Sequence, residues 1–115
     1  MVSRFCAAGS LAGLMVFASA LDSAAETIRV AVAQLSFTPA QVSAHVGDTI
    51  EWVSTDFIAH TTTARSKEWD ITIPPKGTGS VVLKSVGAID YYCRFHPNMK
   101  GRVIVEDKLP PPGAR

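Results

Sequence analysis

Residues 90–106 read DYYCRFHPNMKGRVIVE. Two strand-like runs flank a short loop. Ala88 to Arg94 carries the paired aromatics Tyr91 and Tyr92, and Gly101 to Glu106 alternates, with Val103 and Val105 on one face. Between the runs, Cys93, His96 and Met99 fall within seven residues at C-x2-H-x2-M spacing. Lying between two strands, the loop places three soft or borderline metal donors at one end of the strand framework.

Working outward, the rest of the chain repeats the same grammar. Thr27 to Leu35 alternates, with Ile28, Val30 and Val32 on one face, and Phe37-Thr38-Pro39 breaks it. Val42 to Val46 is a second run, closed by Gly47-Asp48. Thr49 to Val53 alternates around Ile50 and Trp52, and Ser54 to Ala59 reads as a loop. His60 to Ala64 is Thr-rich, Trp69 to Ile73 alternates before the Pro74-Pro75 turn, and Ser80 to Lys84 is a further strand. No stretch has helical periodicity. About eight short strands punctuated by turns predict an all-β sandwich or barrel.

The ends of the chain read differently. Residues 1–25 have the form of an export signal: Arg4, then an uncharged, largely apolar run over residues 5–18, then small-residue cleavage patterns ending at Ala20 and Ala25. The run is too short for a bilayer span, and Cys6 comes too early for a lipid-anchored cysteine. Cleavage after Ala25, just before the first strand, is the preferred reading, with Ala20 the alternative. The folded domain is then 26–108, without a membrane span, and 109–115 is a flexible Pro-rich tail. Export from the cytoplasm is expected. Removing the leader removes Cys6, so a disulfide is no longer available, and Cys93 and Met99 become the one Cys and one Met of about 90 residues. A lone thiol in an oxidising compartment must be buried, paired with another chain, or bound to metal.

The whole chain of 115 residues carries a net charge of only +1, which gives nucleic acid no electrostatic footing. The donors favour one metal. A thiolate and two imidazoles in a trigonal set, with a weak thioether on the axis, make the ligand set of a blue-copper centre. The loop supplies Cys93, His96 and Met99; His60, at the head of another strand, can complete the set if the two strands are neighbours. Zinc prefers Cys and His without a thioether, so Met99 argues against a structural zinc site. Nucleophilic Cys93–His chemistry leaves Met99 unexplained. A multicopper oxidase needs several such domains.

The stretches VGDTIEWVSTDFIAHTTTA (46–64) and DYYCRFHPNMKGRVIVE (90–106) resemble the cupredoxins, within them the plastocyanin and amicyanin group, and the short ligand loop is most similar to that of amicyanins. The resemblance covers nearly all of residues 27–106. It implies a Greek-key β-sandwich with one type 1 copper per chain on His60, Cys93, His96 and Met99, and a periplasmic electron carrier, not an enzyme, that passes single electrons between protein partners at His96. A copper-handling protein with the same ligands is the alternative; such proteins often cluster Met and His, and this domain has one Met. The family often has Thr or Ser after the Cys, where this chain has Arg94. Thr61 stands where the residue after the first His can hydrogen-bond to the Cys93 loop.

Around these ligands, Phe95 and Pro97 beside His96 are expected to form an apolar docking patch on a monomer. Arg94, Lys100 and Arg102 cluster around the same loop, either as plain solvated surface or as a basic rim that speeds encounter with an acidic partner. Trp52, Phe57, Trp69, Tyr91 and Tyr92 are expected to pack. His45, with no evident partner in the sequence, is expected to face solvent.

Overall fold

The computed structural model describes residues 25–108 and Pro110. The predicted leader and tail lie outside the described residues, apart from Ala25 and Pro110. Nine strands follow in chain order: β1 (Thr27–Ala33), β2 (Ser36–Thr38), β3 (Gln41–His45), β4 (Thr49–Ser54), β5 (His60–Ala64), β6 (Asp70–Ile73), β7 (Thr78–Val82), β8 (Gly87–Tyr92) and β9 (Lys100–Glu106). One sheet has the order β2-β1-β4-β7 and the other β3-β9-β8-β5-β6. Each sheet has one parallel pairing, β1 with β4 and β3 with β9, because the chain crosses between sheets after β2 and after β3. The result is the expected all-β sandwich.

Alternation decides which face each strand buries. Val30 and Val32 of β1, Ile50 and Trp52 of β4, Ile89 and Tyr91 of β8, and Val103 and Val105 of β9 all point into the space between the sheets. The centre is aromatic: the Tyr91 ring meets Trp52 edge-on at 5.4 Å and Phe37 at 4.9 Å. Trp52 Nε1–H donates to the Tyr91 hydroxyl at 3.2 Å, so the buried indole is satisfied. Burial pushes the Tyr91 phenol up to about 12, against the smaller opposing effect of that bond. Gly101 of β9 is opposite Tyr91 in register, and a side chain there would meet the Tyr91 ring and hydroxyl.

Three expectations change. The break expected at Phe37-Thr38-Pro39 is instead a ninth strand, β2, paired with β1 through Val32↔Phe37. The first strand therefore ends at Ala33, and Gln34 and Leu35, with φ of 51° and 59°, form a hairpin turn of the left-handed type. β7 lies two residues earlier than expected, and β8 stops at Tyr92, which leaves Arg94 in the ligand loop. His45 is only half-exposed: Nδ1 is 3.8 Å from Asp48 Oδ2 and Nε2 is 3.6 Å from Glu106 Oε2. The cause is the Gly47 turn (φ 99°), which folds Asp48 back so that its buried carboxylate accepts the His45 and Glu26 amides at 2.8 and 2.9 Å. Among the described residues no helix is long and apolar enough to cross a membrane.

Candidate metal centre

The β4–β5, β6–β7 and β8–β9 connections and the β1–β2 turn share one end of the sandwich. The ligand loop folds there as two consecutive turns. The His96 amide donates to the Cys93 carbonyl at 3.2 Å, and the Met99 amide donates to the His96 carbonyl at 2.8 Å. These i→i+3 bonds are the physical meaning of the x2 spacings. Pro97 occupies the second position of the second turn, where its fixed φ fits and its missing N–H is not needed. The Cys93 amide donates to the Met99 carbonyl at 3.1 Å and closes the loop.

His60 opens β5, which pairs with β8, so the expected strand neighbourhood holds. Cys93 Sγ lies 3.8 Å from His60 Nδ1 and 3.7 Å from His96 Nδ1, and the donor atoms of the three residues lie within 4.8 Å of one another. His60 and Cys93 are fully buried, and His96 is partly exposed. With metal–sulfur and metal–nitrogen lengths of ~2.3 and ~2.05 Å, a trigonal angle puts sulfur and nitrogen ~3.8 Å apart. Both observed sulfur–nitrogen separations match that arrangement. Met99 is 2% exposed and tied through its backbone to both Cys93 and His96.

The surroundings orient these donors. Asp56 Oδ2 is 2.7 Å from His60 Nε2. An ionised carboxylate only accepts, so Nε2 carries the proton and Nδ1 turns its lone pair toward Cys93. The same carboxylate accepts the Gln34 amide at 2.8 Å and the Leu35 amide at 3.4 Å, which ties the β1–β2 turn to the site. The Gln34 amide is the main influence holding the Asp56 carboxyl below the usual range, with His60 adding to it. Thr61 N–H donates to Cys93 Sγ at 3.3 Å, so the β5 backbone holds the sulfur in place. The Thr61 hydroxyl accepts the Arg94 amide at 2.8 Å, the expected link to the Cys93 loop. Asp56 was not singled out from the sequence; an acid four residues before a ligand-type His was the available signal.

Two surface expectations are revised. Phe57 does not pack: it is 81% exposed, with the Lys76 ammonium 4.0 Å from its ring centroid. With Leu35, Ile58 and Phe95, also exposed, it surrounds the site end with apolar surface. The basic rim is largely neutralised. Arg94 pairs with Asp70 at 3.1 Å and Arg102 with Asp90 at 2.7 Å, which leaves Lys100 the one of the three without a carboxylate partner among the described residues.

Residues 6–105 match the family model of the cupredoxin-like domain. Amicyanin-alpha of Methylorubrum extorquens is 31% identical over 74% of this chain and 76% of its own length. The amicyanin of Paracoccus denitrificans is 25% identical, covering 92% of this chain and 89% of its own. A solved amicyanin variant described as a reduced Cu(I) form is 27% identical with a TM-score of 0.62, covering 70% of this chain and 82% of that one. A family match over most of the length, on a sandwich whose loops gather a Cys and two His at one end, leads to one conclusion: the chain belongs to the cupredoxins, in the amicyanin group.

Proposed function

We propose that the protein is an exported electron carrier holding one type 1 copper on His60, Cys93, His96 and Met99. The observation that carries this reading is the Cys93 sulfur set between two imidazole nitrogens at 3.7 and 3.8 Å. When bound, copper supplies a one-electron couple between Cu(II) and Cu(I). The chain's task is to keep the donors still. The paired turns fix Cys93, His96 and Met99, Asp56 fixes His60, and Thr61 N–H steadies the thiolate. Four protein donors leave no position for a substrate, so the role is that of a carrier and not an enzyme. The partly exposed His96 is the exit edge, and Phe95 and Pro97 beside it, with Phe57 and Ile58, form the surface for a redox partner protein.

The visible spectrum tests the reading. Cu(II) added to the chain from Glu26 onward should give an intense thiolate-to-copper band; a colourless product overturns it. Two variants follow from the geometry. Asp56→Ala removes the acceptor that sets the His60 tautomer and should weaken copper binding ~10–100-fold by chelator competition, as losses of such supporting groups do. Unchanged affinity would show that His60 needs no support. Met99→Gln should keep copper but lower the potential by more than ~59 mV, a tenfold change in a one-electron equilibrium. An unmoved potential would remove Met99 from the axis.

Export to the periplasm, with cleavage after Ala25, belongs to the same proposal. The Glu26 amide already lies 2.9 Å from the buried Asp48 carboxylate, and cleavage there turns that amide into an ammonium facing a carboxylate. The mass of the exported chain checks it: a start at Glu26 is expected, and a start at Leu21 would reject it.

A further inference from the structure

The Arg94 side chain closes a circuit of hydrogen bonds with the residue after the first histidine. Asp70 Oδ1, at the start of β6, accepts from the Thr63 hydroxyl at 2.8 Å and from Arg94 Nε at 3.1 Å. Thr63 and Thr61 hydroxyls are 3.0 Å apart, and the Thr61 hydroxyl accepts the Arg94 amide at 2.8 Å. Thr61 in turn donates its own amide to Cys93 Sγ at 3.3 Å. The circuit thus starts at an exposed carboxylate and ends at the buried sulfur.

Proton directions around it are forced. A carboxylate accepts only, so Thr63 must spend its single O–H on Asp70. Thr63 can then only accept from Thr61, so the Thr61 O–H points to Thr63. The Thr61 oxygen is left with lone pairs alone for the Arg94 amide, which is the geometry found. Bonds chained in one sense strengthen one another. The Thr63 hydroxyl and the Arg94 guanidinium hold the Asp70 carboxyl below the usual range, so it stays an acceptor at neutral pH.

Burial points the same way. His60, Thr62 and Ala64 share the inner face of β5, so Thr61 and Thr63 lie on the outer one. Thr61 is nonetheless 0% exposed. An outward threonine that meets no water must have its hydroxyl satisfied within the protein, and this circuit does so.

We infer that Asp70 is a positioning residue for the Cys93 thiolate, acting through Thr63 and Thr61 and directly through the Arg94 side chain. Its effect is to fix the Cys93–Arg94 peptide plane and the β5 amide that faces the sulfur. The inference rests on the copper reading for the thiolate's role, but the circuit belongs to the metal-free chain. The Asp90–Arg102 pair, an exposed Asp–Arg contact of 2.7 Å on the same sheet with no recorded bond to the loop, is the matched control.

The experiment compares Asp70→Ala, Thr63→Val and Asp90→Ala by amide hydrogen exchange without metal, and by the thiolate-to-Cu(II) absorption maximum. Asp70→Ala and Thr63→Val should each speed exchange of the Arg94 amide about fivefold, as expected for one weakened hydrogen bond. Both should also shift the absorption maximum, while Asp90→Ala changes neither. Unchanged Arg94 exchange, an absorption maximum that stays put although exchange has moved, or an equal response in Asp90→Ala overturns the assignment. If the unmutated chain shows no band at all, the copper reading fails, and the thiolate role assigned to Asp70 falls with it; the exchange rates alone then report whether the circuit orders the loop.

Discussion

Cys93→Ser should keep the sandwich and lose the intense visible band entirely. The Cys93 thiolate is the one anionic sulfur donor that can supply that transition, since the Met99 thioether is neutral, and a serine hydroxyl does not ionise near neutral pH as a thiol can. The structure also indicates that the fold survives. Cys93 is 0% exposed, but Thr61 N–H can donate to a serine oxygen as it does to sulfur, so no buried polar atom is stranded. Loss of a direct ligand should lower Cu(II) affinity by more than the ~10–100-fold typical of supporting groups. Absorption titration with Cu(II), beside circular dichroism of the apo variant, makes the check. A band that persists in Cys93→Ser would mean that the sulfur is not the ligand.

Gly101→Ala carries the largest expected effect on stability. Its Cβ would enter the Tyr91 ring, which is held on its other sides by Trp52, Phe37 and Trp69. Overpacking of this kind costs ~1–3 kcal/mol. Moving Tyr91 also breaks the bond from Trp52 Nε1 and leaves a buried donor unpaired, at ~1–3 kcal/mol. A total near 3 kcal/mol corresponds to a fall in Tm of ~12–24 °C for a domain of this size. Thermal unfolding of the metal-free variant measures it. Because Gly101 follows Met99 by two residues, displacement of β9 should also loosen the ligand loop. An unchanged Tm would show that Tyr91 has room to tilt.

The grouping of the candidate donors was legible from sequence because their spacing is local: two tight turns hold Cys93, His96 and Met99 in one loop whatever the rest of the chain does. Most strands were legible because they bury one face; β5, buried on both, was read from its threonines instead. What escaped depends on contacts between segments. The Gln34–Leu35 turn lacks the usual Gly or Asn, and its amides are held by Asp56, more than twenty residues away. Asp56 itself is one acid in the Ser54–Ala59 loop until folding sets it beside His60. Phe57 reads as core by type, yet the loop that brings Asp56 inward turns Phe57 out. Arg94 and Arg102 read as a basic rim because their partners, Asp70 and Asp90, sit on strands β6 and β8, and only sheet pairing brings them alongside.

The donors are unevenly divided along the chain: three within seven residues, and His60 thirty-three residues before Cys93. An unfolded chain can offer a metal only the local three, flexibly. The fourth arrives with β5–β8 pairing. A ligand that binds the complete set more tightly than the partial one shifts the folding equilibrium by mass action. Occupancy and resistance to proteolysis then become two readings of a single quantity, and a chain that has lost its cargo is the one a protease can most easily open.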